Sequence, residues 1–336
     1  MKDSAPAPSL DPSSVQPQDA TVFGWTHPSV ILVATDLSDL HRLAPFAFEQ
    51  AAQTGAHLLL LHVVSGVRAV ATDPAGMPYF DPAATFDFVA KELESWCEMA
   101  REQKIACEAL VREGNPAQQI GAVARQFKAG RLLLGTRSRS KLGKLLLGSV
   151  AEQVLRSVNL PVITVGPEAH LQVGRDNEER TVLHATTLRE ASRPSAALAC
   201  QIAASQGAKL VLLHVLPPTE EWASQKPGRS GQPASLDTAA LHELQLLAAE
   251  TSSACDAIVE PHVVHGDPSI EILAAASERN ADLIVLGARH RSIFEDFTRD
   301  RTVYRVLAHA RCPVLTLREQ DSTPAALKSE SLTASL

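Results

Sequence analysis

The sequence predicts an α/β protein of two similar domains, each a five-stranded parallel sheet covered by helices on both faces. Two observations predict it. The chain repeats itself: Leu58-Leu59-Leu60-Leu61-His62-Val63-Val64 recurs as Leu210-Val211-Leu212-Leu213-His214-Val215-Leu216, an offset of 214 − 62 = 152 residues. The same offset carries Gly114-Asn115-Pro116 onto Gly266-Asp267-Pro268, Gly135 onto Gly287, and Pro161-Val162 onto Pro313-Val314. Constant spacing over separate landmarks marks a duplication, and a period this long is a whole domain rather than a solenoid unit. The second observation is alternation. Short aliphatic runs alternate with helix-like segments, which gives parallel strands joined by right-handed crossovers.

Taken in order, Ser29 to Thr35 is a β-branched and aliphatic strand broken by Asp36-Leu37-Ser38. Leu40 to Thr54 is helical and Gly55 stops it. Leu58 to Val64 is apolar on both faces, as a central parallel strand must be. Residues 65–82, with several Gly and Pro, read as a long loop. Pro82 and Thr85 open a helix through Lys104, with Phe86, Val89, Leu93, Trp96 and Cys97 along one face. Ile105 to Val111 is the third strand. In the turn after it, Asn115 caps the next helix and Pro116 takes its first position; that helix runs to Lys128. Arg131 to Gly135 is the fourth strand, Ser149 to Val158 a short helix, and Leu160 to Val165 the last strand. The same order returns between about Thr181 and Leu317.

Composition fits this plan. The 336 residues accommodate two domains and tails, and 45% hydrophobic with 4% aromatic content implies cores built from Leu, Val, Ile and Ala. A net charge of −7 argues against a dedicated nucleic-acid surface. No apolar run is long enough for a membrane span. The five cysteines (Cys97, Cys107, Cys200, Cys255, Cys312) form no CxxC pair and read as reduced, buried thiols of a cytosolic protein. The expected organisation is a disordered tail over 1–27, a first domain over 28–168, a linker over 169–179, a second domain over 180–318 and a disordered tail over 319–336.

In open parallel sheets, ligands bind past the carboxyl ends of the strands at the topological switch point. The residues to inspect are therefore Thr35-Asp36, Val63-Val64 and Gly135 onward. The segment after strand four runs Gly135-Thr136-Arg137-Ser138-Arg139-Ser140-Lys141-Leu142-Gly143-Lys144-Leu145-Leu146-Leu147-Gly148-Ser149-Val150. Small residues let a backbone approach an anion, and the helix starting at Gly148-Ser149 offers unpaired N–H groups with a favourable dipole. Arg137, Arg139, Lys141 and Lys144 add positive charge. The competing reading is a solvated basic loop. No GxxxxGK[ST] phosphate loop and no GxSxG nucleophile elbow is present. His62 and His214, repeated at a strand end, read as packing residues with a backbone hydrogen bond rather than metal ligands.

These motifs resemble those of the universal stress protein family. Its nucleotide-binding members carry Gly-x2-Gly-x9-Gly-Ser/Thr after strand four, and here Gly135-x2-Ser138-x9-Gly148-Ser149 keeps the spacing with Ser138 at the second Gly. Ala34-Thr35-Asp36-Leu37-Ser38, Leu61-His62-Val63, the Gly114-x-Pro116 turn and Leu160-Pro161-Val162 also match. The resemblance covers nearly all of 29–166 and 180–318. It implies a Rossmann-like, adenine nucleotide alpha hydrolase-like fold with strand order 3-2-1-4-5. It also implies ATP binding, with Mg2+ as an accompanying ion. Ala34, Thr35 and Asp36 would lie beside adenine and ribose, and Val63 against the base. Gly135, Ser138, Arg139, Gly148, Ser149 and Val150 would hold ribose and phosphates. Asp36 also has a structural reading, as cap of the following helix. Pairing of the two last strands within one chain would make a pseudo-dimer, with a homodimer of chains as a further assembly.

The second copy departs where the ligand would sit. Thr187 stands for Asp36, and Asp300-Arg301 stand for Gly148-Ser149, with Glu295 and Asp296 in the same loop. A carboxylate at that helix start repels phosphate. The expectation is a cytoplasmic regulatory protein, not an enzyme, that binds an adenine nucleotide in its first domain only and has an unidentified protein partner. The alternatives are an interaction module that uses neither pocket and a slow ATPase. Against the last stands the lack of any positioned base or metal-binding pair beyond Asp36.

Overall fold

The computed structural model describes residues 25–65, 71–72, 78–79, 82–136, 147–170, 179–216, 234–289 and 301–319. The first domain contains β1 (Val30–Ala34), α1 (Leu40–Thr54), β2 (His57–Val64), β3 (Ala71–Thr72), β4 (Pro78–Tyr79), α2 (Pro82–Glu102), β5 (Cys107–Glu113), α3 (Pro116–Gln126), β6 (Arg131–Gly135), α4 (Ser149–Ser157) and β7 (Val162–Val165). The second contains β8 (Thr181–Ala185), α5 (Arg193–Ser205), β9 (Lys209–Leu216), α6 (Ala234–Ala254), β10 (Val259–His265), α7 (Pro268–Glu278), β11 (Leu283–Arg289), α8 (Arg301–His309) and β12 (Val314–Glu319). Within the stretch expected to be one long loop, β3 and β4 form a small antiparallel ladder.

Ten strands form one sheet in the order β10-β9-β8-β11-β12-β7-β6-β1-β2-β5. Leaving out the β3–β4 ladder, each half has the order 3-2-1-4-5, and every pairing within a half is parallel. The halves meet at their last strands, where β7 and β12 run antiparallel with Thr164 opposite Val314 and Val162 opposite Thr316. The Thr164 hydroxyl donates to the Val314 carbonyl at 3.2 Å. Around this seam Arg180 pairs with Glu49 at 3.0 Å, and Arg318 donates to Asn159 Oδ1 at 2.8 Å.

The strands are apolar on both sides because both sides are covered. Leu58 and Leu60 face the core beneath α1 and α2; Leu59 and Leu61 face the one beneath α3 and α4. Each core runs across both domains. Local signals end the helices as the sequence predicts. Gly55 closes α1 at φ 70°, donating to the Ala51 carbonyl at 2.8 Å. The turn before α3 needs Gly114 at φ 127°, where a side chain is strained. Asn115 then caps the helix by accepting from the Gln118 N–H at 3.1 Å, ahead of Pro116. Asp267 does the same for α7, accepting from the N–H groups of Ser269 and Ile270.

Two expectations are corrected. Trp25, placed in a disordered tail over 1–27, is 2% exposed and belongs to the core. Its ring lies 4.3 Å from the Arg131 guanidinium, which donates through Nε and Nη2 to the Trp25 carbonyl and through Nη1 to Gln50. Burial lowers the Arg131 pKa to about 10, and these acceptors replace its lost water. The tail's polar composition hid one anchoring aromatic. The cysteines are not all free: Cys200 on α5 and Cys255 just past α6 form a disulfide, with Cα atoms 6.2 Å apart. A separation of 55 residues leaves no local motif, and only the packing of α5 against α6 brings the pair together. Cys97 and Cys107 are free and buried with Sγ atoms 2.8 Å apart, and Cys312 is free and buried. Among the described residues no helix is long and apolar enough to cross a membrane.

Candidate functional site

In the first domain the strand order reverses between β1 and β6, and a cavity of about 510 Å³ opens past their carboxyl ends. That volume lies within the range of small-ligand sites. Ala34, Thr35 and Asp36 line it from β1; Leu61, His62, Val63 and Val64 from β2; Gly135 from β6; Gly148, Ser149 and Val150 from the start of α4. Eight of the ten residues expected to bind nucleotide thus surround one cavity. Ser138 and Arg139 lie outside the described residues, as do Arg137, Lys141 and Lys144.

The turn after β1 is organised by hydrogen bonds. Leu37 takes φ 72°, a left-handed conformation costly for a branched side chain, and its equivalent Leu188 takes φ 57°. Thr35 Oγ1 accepts from the Leu37 N–H at 2.9 Å and donates to Asp39 Oδ1 at 2.7 Å. Asp36 is exposed, and its Oδ1 accepts from the Ser38 N–H at 2.9 Å and the Ser38 hydroxyl at 2.5 Å. The alternative role of Asp36 as cap of α1 is therefore corrected. The residue at the cap position is Asp39, whose side chain makes no capping bond. One face of the Asp36 carboxylate folds its own turn while the group stays at the cavity wall.

Asp39 is the site residue that sequence reasoning missed. It is 5% exposed and lines the cavity. Burial raises its pKa, opposed by the bond from Thr35. A Cβ placed on Gly135 would overlap the Asp39 carboxylate, with Cγ only 2.9 Å away. Gly135 is therefore small because a buried carboxylate occupies the space beside it, a reason its motif spacing does not reveal. Thr85 and Ile120 also reach the cavity unannounced by any motif, and Pro116 of the Gly114-x-Pro116 turn lines it too.

His62 behaves as its repetition suggests. Nδ1 lies 2.9 Å from the Thr35 carbonyl and must be the donor, since a carbonyl only accepts. Burial lowers its pKa, so the neutral ring is favoured. His214 repeats the bond to Thr186 at 2.9 Å.

At the far wall Gly148 occupies the N-cap of α4 in an extended conformation, and no side chain caps the helix. Its own N–H donates to the Thr136 carbonyl at 3.2 Å. The first-turn N–H groups of Ser149 and Val150 thus border the cavity at a helix start that no side chain caps among the described residues. Such a terminus attracts an anion. The cavity thus has donors on one wall, hydrogen-bond acceptors on the turn after β1 and an aliphatic floor.

The second copy is built differently at the matching positions. Thr187, in place of Asp36, has its hydroxyl 2.8 Å from that of Ser192. An ion pair at 3.6 Å between Arg305 on α8 and the Asp267 cap spans the gap between α8 and α7. In the first copy the corresponding residues are Gln153 and Asn115, a pair without charge. Asp300, Glu295 and Asp296 lie outside the described residues.

Fold and cavity together define a doubly wound α/β protein with an open cavity at its switch point. The model of the universal stress protein family matches residues 29–166 and 179–318, and the chain belongs to that family as a tandem member. It is similar to a universal stress protein of Thermus aquaticus, 33% identical over 142 residues that span 40% of this chain and 96% of the relative. It is also similar to one of Bacillus subtilis, 32% identical over 146 residues, 40% of this chain and 97% of the relative. Among solved structures, a universal stress protein from Archaeoglobus fulgidus superposes with a TM-score of 0.61 at 22% identity, covering 87% of this chain and 99% of its own. A Pseudomonas aeruginosa protein of unknown function also superposes at 0.61, with 19% identity and 88% and 95% coverage. At these identities the two structures establish the shared fold.

Proposed function

We propose that the first domain binds an adenine nucleotide, ATP in the leading case, and that the protein acts as a cytoplasmic, nucleotide-responsive regulator rather than an enzyme. One observation carries the reading: the uncapped start of α4 and the Thr35-Asp36 turn face each other across a single cavity at the switch point. The base would lie on Val63 and Ala34, the ribose hydroxyls against Asp36, and the phosphates at the N–H groups of Gly148, Ser149 and Val150. Gly135 at the end of β6, with Ser138 and Arg139 after it in sequence, would add contacts to ribose and phosphates, and Mg2+ would accompany the phosphates from solvent. A further assembly into a homodimer, and an unidentified protein partner, belong to the same reading.

Nucleotide binding should be confined to the first domain, because in the second Thr187 stands for Asp36 and Asp300 for Gly148. Calorimetric titration of the full chain with Mg-ATP is expected to give one site per chain. Gly148→Asp, which gives α4 the carboxylate that α8 has before it, is expected to abolish the heat. Absence of heat from the wild type at millimolar nucleotide refutes the reading and leaves the interaction module. Retained binding in Gly148→Asp refutes the assignment to this cavity. Single-turnover hydrolysis that depends on Asp36 would reopen the slow ATPase.

A further inference from the structure

Among the polar contacts between the two domains, one lies beside the candidate site. The N–H of Leu147, the residue before Gly148, donates at 3.1 Å to the phenolic oxygen of Tyr304, which stands on α8. Leu147 is buried and the Tyr304 side chain packs partly into the core shared by both domains. The next residue, Gly148, donates to Thr136, so this turn is held from its own domain by one bond and from the neighbouring domain by another. The antiparallel β7–β12 seam makes the contact possible by bringing α8 alongside the start of α4.

The residue that makes the contact is not repeated in the first copy. By the 152-residue offset, Tyr304 corresponds to 304 − 152 = 152, which is Glu152. Glu152 is spent on its own helix, pairing with Arg156 at 2.5 Å. The degenerate copy thus supplies a residue to the intact one, and the same residue type is not returned.

We infer that Tyr304 is a positioning residue for the first-domain nucleotide site: it fixes the turn whose following N–H groups meet the phosphates, so the second domain completes the site of the first. The inference rests on the nucleotide reading above and adds a role for the copy that does not bind. It also makes the coupling reciprocal, since a ligand that orders the α4 start must favour the docked position of α8 by the same factor.

The test uses the full chain and Tyr304→Phe, which keeps the ring and removes only the acceptor. Backbone amide exchange is measured at Leu147 without nucleotide, and ATP and adenosine affinities are measured by calorimetry. Expected are faster exchange at Leu147, an ATP affinity about three- to tenfold weaker, the worth of one neutral hydrogen bond, and an unchanged adenosine affinity. A role in general stability would not separate ATP from adenosine. Unchanged exchange at Leu147 overturns the tether. Faster exchange with unchanged ATP affinity, or equal weakening of both ligands, overturns the positioning role. A wild type that binds no ATP overturns the nucleotide reading and the positioning role with it, while the exchange data still decide whether the tether exists.

Discussion

Replacing Gly135 with alanine tests why the strand-four motif begins with glycine. Gly135 does not have a positive φ, so alanine is tolerated by the backbone there. The obstacle is the Asp39 carboxylate, which a Cβ would overlap, with the Asp39 Cβ 3.4 Å away behind it. Asp39 is buried and held by the Thr35 hydroxyl at 2.7 Å, so its displacement breaks that bond and repacks the turn. Overpacking of this kind costs about 1–3 kcal/mol. Loss of glycine's freedom in the unfolded chain returns about 0.4–1 kcal/mol. Gly135→Ala should therefore destabilise by about 1–2 kcal/mol. In an Asp39→Ala background the obstructing carboxylate is gone, and the same change should be neutral or stabilise by about 0.5 kcal/mol. A double-mutant cycle by urea denaturation of the full chain measures the coupling, expected near 2 kcal/mol. Equal costs in the two backgrounds would refute the steric argument and return Gly135 to a role in ligand approach.

Three further outcomes follow from the fold. Trp25→Ala should cost about 3–5 kcal/mol, as loss of a buried aromatic does. A loss under about 1 kcal/mol in chemical denaturation would put Trp25 back in the tail. Reduction of Cys200–Cys255, which closes 55 residues, should lower stability by up to about 4 kcal/mol on the chain-entropy argument. A denaturation midpoint insensitive to reductant in the wild type, or still sensitive in Cys200→Ala, would count against the pairing. His184 is fully buried, and its Nδ1 lies 3.0 Å from the Val285 carbonyl while Nε2 has no partner among the described residues. Burial pushes its pKa down to about 4 from 6.5, so the unfolded chain binds the proton more readily. The stabilising contribution is whole above 6.5 and is lost as pH falls through the window down to about 4. His184→Val, the residue type that Val33 supplies in the first copy, should flatten the stability profile over that window. An unchanged slope would assign it to other groups.

Much of this protein was legible in one dimension. The 152-residue repeat marked two domains, the both-face apolar strands a parallel covered sheet, and the cap Asn115 announced its helix. These are local signals, written in neighbouring residues: periodicity, turn chemistry and hydrogen bonds that span a few positions. The same locality gathered most of the candidate site, because strand ends in a doubly wound sheet converge at the switch point.

What the tertiary structure decided depends on residues distant in sequence. Asp39 carries no motif, and only its burial against Gly135 makes it part of the site. Trp25 follows a segment rich in Pro, Ser, Asp and Gln, and its place is set by Arg131, 106 residues away. Cys200 and Cys255 meet through the packing of two helices. Tyr304 meets Leu147 across 157 residues because two terminal strands pair antiparallel. A sequence records which residues can form a strand or cap a helix, while contacts across a packed core depend on shape and orientation that exist only after folding.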